Sequence, residues 1–170
     1  MKWVIHKGKH RPAFWWLQLA LWFNKKVMEK EVKFFFSTKY YLEGEDHADH
    51  NKLFGIGYFP GHHRESARFG WRYDQLGNRF ILSAYCYVDG LRIMKDLCAV
   101  VANKPYIMRI EKYAGHYRFT VSDKVEKRTI GMYHIDYRHK KKLGFRLGLF
   151  FGGNQPAPVK LTIEIKKSHG

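Results

Sequence analysis

Arginine and tyrosine recur at alternate positions of neighbouring apolar segments: Arg68 and Arg72 in one, Tyr85 and Tyr87 in the next, with Arg118 and Arg146 further on. A guanidinium presents a planar fork of donors that matches carboxylate or phosphate. A phenol adds a flat ring for a sugar or base, and a hydroxyl. Interleaved on one strand face, they would line an anion-selective groove; the plainer alternative is a solvated outer face of ordinary exposed Arg and half-buried Tyr. His62 and His63, beside Arg64, would put a general base near an anionic substrate. Adjacent strand-end residues point to opposite sides, so at most one of the two is expected to face a given site. The plainer alternative is a loop whose histidines bond backbone or water. If the chain has chemistry, the candidates are Tyr85 or His63 as base and Arg68 neutralising a carboxylate. The candidate ligand-binding set is Arg68, Arg72, Tyr85, Tyr87, Arg118, Arg146, His62 and Asn154.

Other clusters carry less. In the run 46–50, Asp46 and Asp49 are weak metal candidates beside His47 and His50, but the spacing matches neither a calcium loop nor a zinc site. A solvated acidic loop is the expectation, and no cofactor is expected. The run Arg138-His139-Lys140-Lys141-Lys142 reads as a solvated turn, with a phosphate-contacting loop as the alternative. Gly152-Gly153-Asn154 reads as a structural turn with Asn154 in a left-handed conformation. Asn154 or Gln155 would be positioned to reach a groove rim. Walker loops, dinucleotide fingerprints, nucleophile elbows, HExxH helices and zinc fingers are all missing from the sequence.

These residues need a scaffold, and the sequence describes one. Short alternating segments separated by turn residues fill most of the 170 residues. Candidate strands are 32–40, 52–59, 67–73, 79–88, 91–101, 106–113, 116–122, 127–137, 143–151 and 159–165. Asp89-Gly90 between apolar runs is the best hairpin signal, and it makes 91–101 a return strand. Ala114-Gly115 joins two more strands. Gly55 and Gly57 mark a bulge or a close backbone approach. About ten or eleven antiparallel strands with at most one short helix, in a single domain over 1–170, is the expectation. That describes an all-β, jelly-roll sandwich.

Composition bounds the partners. Thirty-one Lys and Arg against fifteen Asp and Glu leave a net charge of +16, and aromatics make up 17%. Such a surface suits a polyanion: an acidic polysaccharide, or nucleic acid held through charge alone. A neutral polysaccharide also fits a tyrosine-lined face. Two cysteines, Cys86 and Cys98, exclude a disulfide scaffold and are expected as buried thiols. No apolar run reaches the roughly 18 residues of a membrane span. The longest, 13–23, is Trp- and Phe-rich and lacks a small-residue cleavage site. It is expected as a core element, strand or helix, and a cytoplasmic location follows from that reading.

The series Asn51-Lys52-Leu53-Phe54-Gly55, Ser66-Ala67-Arg68-Phe69-Gly70-Trp71-Arg72, Ala84-Tyr85-Cys86-Tyr87-Val88-Asp89-Gly90 and Phe151-Gly152-Gly153-Asn154 resembles small bacterial jelly-roll proteins. Their architecture is similar to the concanavalin-like sandwiches, among them lectins, glycan-binding modules, glucanases and alginate-type polysaccharide lyases. The resemblance implies a glycan-binding module, with a lyase as the alternative. For a lyase it puts Arg68 and Arg72 on the arginine strand. Phe145-Arg146-Leu147-Gly148 then echoes a late Tyr-Lys-Gly-Tyr strand, while the sequence has no Gln-Ile-His segment. The paired carboxylates of a glucanase strand are missing too.

Overall fold

The computed structural model describes residues 1–42, 44 and 49–168. Twelve strands form two six-stranded antiparallel sheets. In chain order they are β1 (Lys2–Ile5), β2 (Leu21–Phe23), β3 (Val27–Phe34), β4 (Asn51–Tyr58), β5 (Ser66–Asp74) and β6 (Arg79–Val88). They continue with β7 (Leu91–Val100), β8 (Pro105–Tyr113), β9 (His116–Asp123), β10 (Arg128–Asp136), β11 (Leu143–Leu147) and β12 (Leu161–Lys167). The first sheet runs β1-β12-β3-β8-β9-β10 and the second β2-β11-β4-β5-β6-β7. Two short 3-10 segments, Trp15–Gln18 and Phe36–Thr38, precede β2 and follow β3.

Turn chemistry sets the register. Asp89 and Gly90 both adopt positive φ, 51° and 83°, as a two-residue hairpin of the primed kind requires. Val88 therefore faces Leu91, and Tyr87 faces Arg92. Ala114 and Gly115 repeat the device between β8 and β9, with φ of 47° and 84°. Two-residue periodicity then buries one face of each strand. On β5 these are Ala67, Phe69, Trp71 and Tyr73; on β6, Phe80, Leu82, Ala84, Cys86 and Val88. Aromatic rings bridge the two inner faces. Phe34 of β3 stacks on Phe80 with ring centroids 4.5 Å apart, and Phe69 of β5 meets Phe119 of β9 edge-on at 5.2 Å.

Three expectations are corrected. The alternating run 32–40 is not one strand: β3 ends at Phe34, and the 3-10 turn that follows is fixed by Thr38, whose hydroxyl reaches the Thr162 carbonyl. The apolar segment 13–23 is not a core element. Leu21 and Phe23 are 71% and 65% exposed on an edge strand, and only Trp22 turns inward. At the C-terminal strand, Val159 lies outside β12 and is exposed rather than inward. Cys86 and Cys98 are both free thiols; Cys86 is buried, as expected, whereas Cys98 is only half-buried.

The sandwich rests on the inter-sheet aromatic layer. Phe34→Ala removes a fully buried ring and is expected to cost about 3–5 kcal/mol in a urea unfolding curve. A loss under about 1 kcal/mol would contradict its place in the core.

Candidate functional site

Arg68, on the outward face of β5, is opposed directly by Tyr85 of β6, and Ser66 by Tyr87. On the other side Arg68 faces Gly55 of β4, beyond a bulge that follows Lys52. A Cβ at Gly55 would fall 2.2 Å from the Ala67 carbonyl oxygen and 2.6 Å from the Arg68 Cα. The missing side chain is what lets the arginine strand approach. These residues floor a cleft of about 450 Å³. Its walls come from two irregular stretches, one contributing Arg11, Trp15 and Gln18, the other Leu147 to Asn154. His62 and His63 close one end.

The charge of this cleft is one-sided. Arg11, Lys52, Arg68 and Arg92 line it, and among the described residues no Asp or Glu does, although the Asp49 carboxylate stands beside Gly153 and acts on Lys52. Arg68 is 8% exposed and forms no ion pair among the described residues; its Nη2 donates to the Gly148 carbonyl at 2.9 Å. Burial pulls its pKa down to about 10, which leaves it cationic at neutral pH. Three buried polar atoms on cleft-lining residues find no hydrogen-bond partner among the described residues: Arg68 Nε, Gln18 Nε2 and Ser66 Oγ. Unmet donors of this kind are rare in protein interiors and point to a ligand or solvent role. Lys52 sits 5.2 Å from the centroid of the Tyr85 ring and donates to the Gly152 carbonyl at 3.1 Å. Burial, and then the neighbouring Arg68, lower its pKa to about 8.

The neutral groups are equally defined. His62 and His63 pack ring to ring at 4.2 Å, and His63 meets Tyr87 edge-on at 5.1 Å. Burial, with the positive charge nearby, takes His62 down to about 4, so it is an unprotonated imidazole at neutral pH. Burial raises the Tyr85 phenol above its ordinary value, which keeps it protonated. As a proton-transfer group Tyr85 is therefore suited to donate rather than accept.

Of the sequence candidates, the structure brings together Arg68, Tyr85, Tyr87, His62, His63 and Asn154. Both histidines reach the cleft, contrary to the expectation of one, because 59–65 is a turn rather than a strand end. Asn154 lines the cleft, but the left-handed residue of its loop is Gly152, with φ of 74°. Arg72 stays out. It lies on the same face as Arg68 but donates to Asp96 Oδ2 at 2.6 Å and to His50 Nε2 at 3.2 Å. His50 in turn gives its Nδ1 proton to Ser83, which is fully buried and so no nucleophile. Arg118 is on the other sheet, bonded to Glu111. Arg146 faces inward, because its partner across β4 is the core residue Ile56; its guanidinium lies over Trp22. Asp49 belongs to no group of three metal-ligating side chains among the described residues, and Asp46 lies outside them.

Reading the sequence missed Arg11, Gln18, Lys52, Ser66 and Arg92. The register of the Asp89-Gly90 hairpin was enough to find Arg92, since it fixes Arg92 opposite Tyr87. Arg11 and Gln18 come from a segment whose place over the second sheet depends on distant contacts, such as the Leu149 amide donating to Gln18 Oε1 at 2.8 Å.

Solved structures share this sandwich. A functionally unknown protein from Saccharomyces cerevisiae superposes with a TM-score of 0.56 at 10% identity, over 89% of this chain and 74% of that one. The alginate lyase from Klebsiella pneumoniae gives 0.61 at 10% identity, over 85% of this chain and 59% of the enzyme. An alginate lyase from Pseudomonas aeruginosa gives 0.55 at 13%, over 94% and 69%. The chain thus shares with them a two-sheet antiparallel β-sandwich fold. No protein-family model and no curated protein matches its sequence.

The dryness of the cleft is measurable. Lys52 is expected to titrate near pH 8 by NMR of its 13Cε, and the midpoint is expected to rise when Arg68 is replaced by Met. A midpoint at the ordinary value of 10.5 would contradict a desolvated cationic cleft.

Proposed function

We propose that this protein binds an acidic polysaccharide, a chain of uronate sugars, in the cleft on the second sheet. The observation that supports this most is Arg68: a buried guanidinium that forms no ion pair among the described residues, in a cleft that no described carboxylate lines. Removing a charge from water costs several kcal/mol unless a counter-charge meets it. A uronate carboxylate supplies that counter-charge and takes up the unmet Nε–H, as charge-assisted hydrogen bonds to arginine do. At about 4 Å separation and an effective dielectric near 20, such a pair gains about 4 kcal/mol. The half-buried Tyr87 offers its ring to the pyranose, and Lys52, Arg11 and Arg92 supply a positive field along the chain. The cleft volume is within the range of roughly 300–1,000 Å³ usual for small-ligand sites. The kinship of fold with enzymes that act on alginate, itself a uronate polymer, agrees with this reading.

A second reading, β-elimination of the bound uronate, is favoured by one feature: a neutral His62 and a protonated Tyr85 share the cleft with Arg68. His62 or His63 would take the proton at C5 while Arg68 stabilises the enolate that forms on the carboxylate. The electron pair then expels the C4 oxygen, which accepts the Tyr85 proton. The products are a free hydroxyl end and a 4,5-unsaturated uronate that absorbs in the ultraviolet.

Calorimetry with polymannuronate, polyguluronate and polygalacturonate, against a neutral glucan, tests the binding. Uronate binding is expected, and Arg68→Met is expected to weaken it at least about tenfold, or about 1.4 kcal/mol. The same substitution removes an uncompensated buried charge, so the melting temperature is expected to hold or rise. Equal affinity for the neutral glucan, or unchanged affinity in Arg68→Met, would overturn the proposal. Ultraviolet absorbance during the same incubations separates catalysis from binding alone.

A further inference from the structure

The basic run 138–142 does not belong to the uronate cleft. It bounds a separate hollow of about 620 Å³, with Asn24 to Lys26 and Glu111 to Gly115 as the other walls. Backbone hydrogen bonds clip the three stretches together. Asn24 N–H donates to the Lys142 carbonyl at 2.9 Å, Lys112 N–H to the Lys26 carbonyl at 2.7 Å, and Tyr137 N–H to the Gly115 carbonyl at 2.8 Å. Topology, not sequence proximity, thus gathers Lys25, Lys26, Lys112, Arg138 and Lys140 to Lys142 around one space.

None of these cations forms an ion pair among the described residues. Glu111 also lines the hollow, but its carboxylate is engaged by Arg109 and Arg118. Glu65 is buried, 3.8 Å from His139 Nε2, and burial raises its pKa. The lysines are held instead by neutral groups. The Lys112 ammonium lies 4.9 Å and 4.8 Å from the ring centroids of Tyr58 and Tyr137 and donates to the Lys141 carbonyl at 2.9 Å. Lys141 Nζ donates to the Phe59 carbonyl at 2.5 Å. His139 is pinned between the Tyr117 hydroxyl at 2.6 Å and the Lys141 amide at 3.1 Å. Burial, with Lys112 and Lys141 close by, brings it down to about 4, so it is an unprotonated imidazole at neutral pH.

We infer that this hollow is a second anion site, separate from the uronate cleft, for a small molecule bearing two or more phosphate groups. Lysine ammoniums are compact point charges suited to the dense charge of phosphate, whereas the first cleft relies on a planar guanidinium and tyrosine rings. Two lysines already oriented by rings and carbonyls lower the ordering cost of binding.

Calorimetry with tripolyphosphate tests the inference, with citrate as a carboxylate control. One saturable site per chain is expected, with citrate at least tenfold weaker. Lys140→Glu with Lys142→Glu, both exposed and so harmless to folding, is expected to weaken tripolyphosphate at least tenfold. Lys112→Gln is expected to do the same, with a histidine NMR titration reporting that His139 moves on binding. Arg68→Met is expected to leave tripolyphosphate binding unchanged. No saturable binding, equal binding of citrate, indifference to the lysine substitutions, or loss in Arg68→Met would each overturn it.

Discussion

A guanidinium buried on the outer face of a β-sheet, with no carboxylate to meet it among the described residues, organises the rest of this molecule's site. Arg68 is cationic and shielded from water, held by the Gly148 carbonyl, with Tyr85 across from it in register. The elements around it make that possible. Gly55 leaves room for the strand to approach, Tyr85 stands across from it in register, and the stretch from Leu147 to Asn154 covers it. The fold tolerates this because the inner faces of the two sheets supply an aromatic core that does not depend on the outer face. Removing such a charge normally leaves stability unchanged or improved. Its retention is therefore better explained by what it binds than by what it stabilises.

Charge compensation differs sharply between the two sheets. On the outer face of the first, Arg109 and Arg118 share Glu111, Lys124 meets Glu31, and Lys166 meets Glu164. Exposed pairs of this sort contribute little to stability, but they neutralise the surface. On the second sheet Arg72 is answered by Asp96, and four residues away Arg68 is left unanswered. The surplus of +16 is thus not spread evenly. Part of it lies in two hollows lined by no unpaired carboxylate among the described residues, one rich in arginine and tyrosine, the other in lysine.

Much of the scaffold was legible because period-two patterning and Asp-Gly and Ala-Gly turns act locally. The inward faces of β5 and β6 and the β6–β7 hairpin follow from the residues alone. The same local rule placed Arg68, Tyr85 and Tyr87 on one face. It failed where partners from other strands decide the outcome. Arg72 shares the periodicity of Arg68 but meets a carboxylate from β7; Arg118 and Arg146 lie on the wrong sheet and the wrong face. The segment 13–23 looked like core because it is apolar, yet it forms an edge strand and a wall of the cleft. Run 138–142 looked like an isolated turn, because the lysines it joins come from stretches far away in sequence.

In the proposed complex the unmet Nε–H of Arg68 is where a uronate carboxylate lands. The most direct measurement follows the 15Nε–1Hε resonance of Arg68 during titration with a uronate oligosaccharide. A saturable downfield shift, with the same midpoint as calorimetric binding, is the expected result. An unmoved Arg68 resonance while the sugar binds elsewhere would contradict the account.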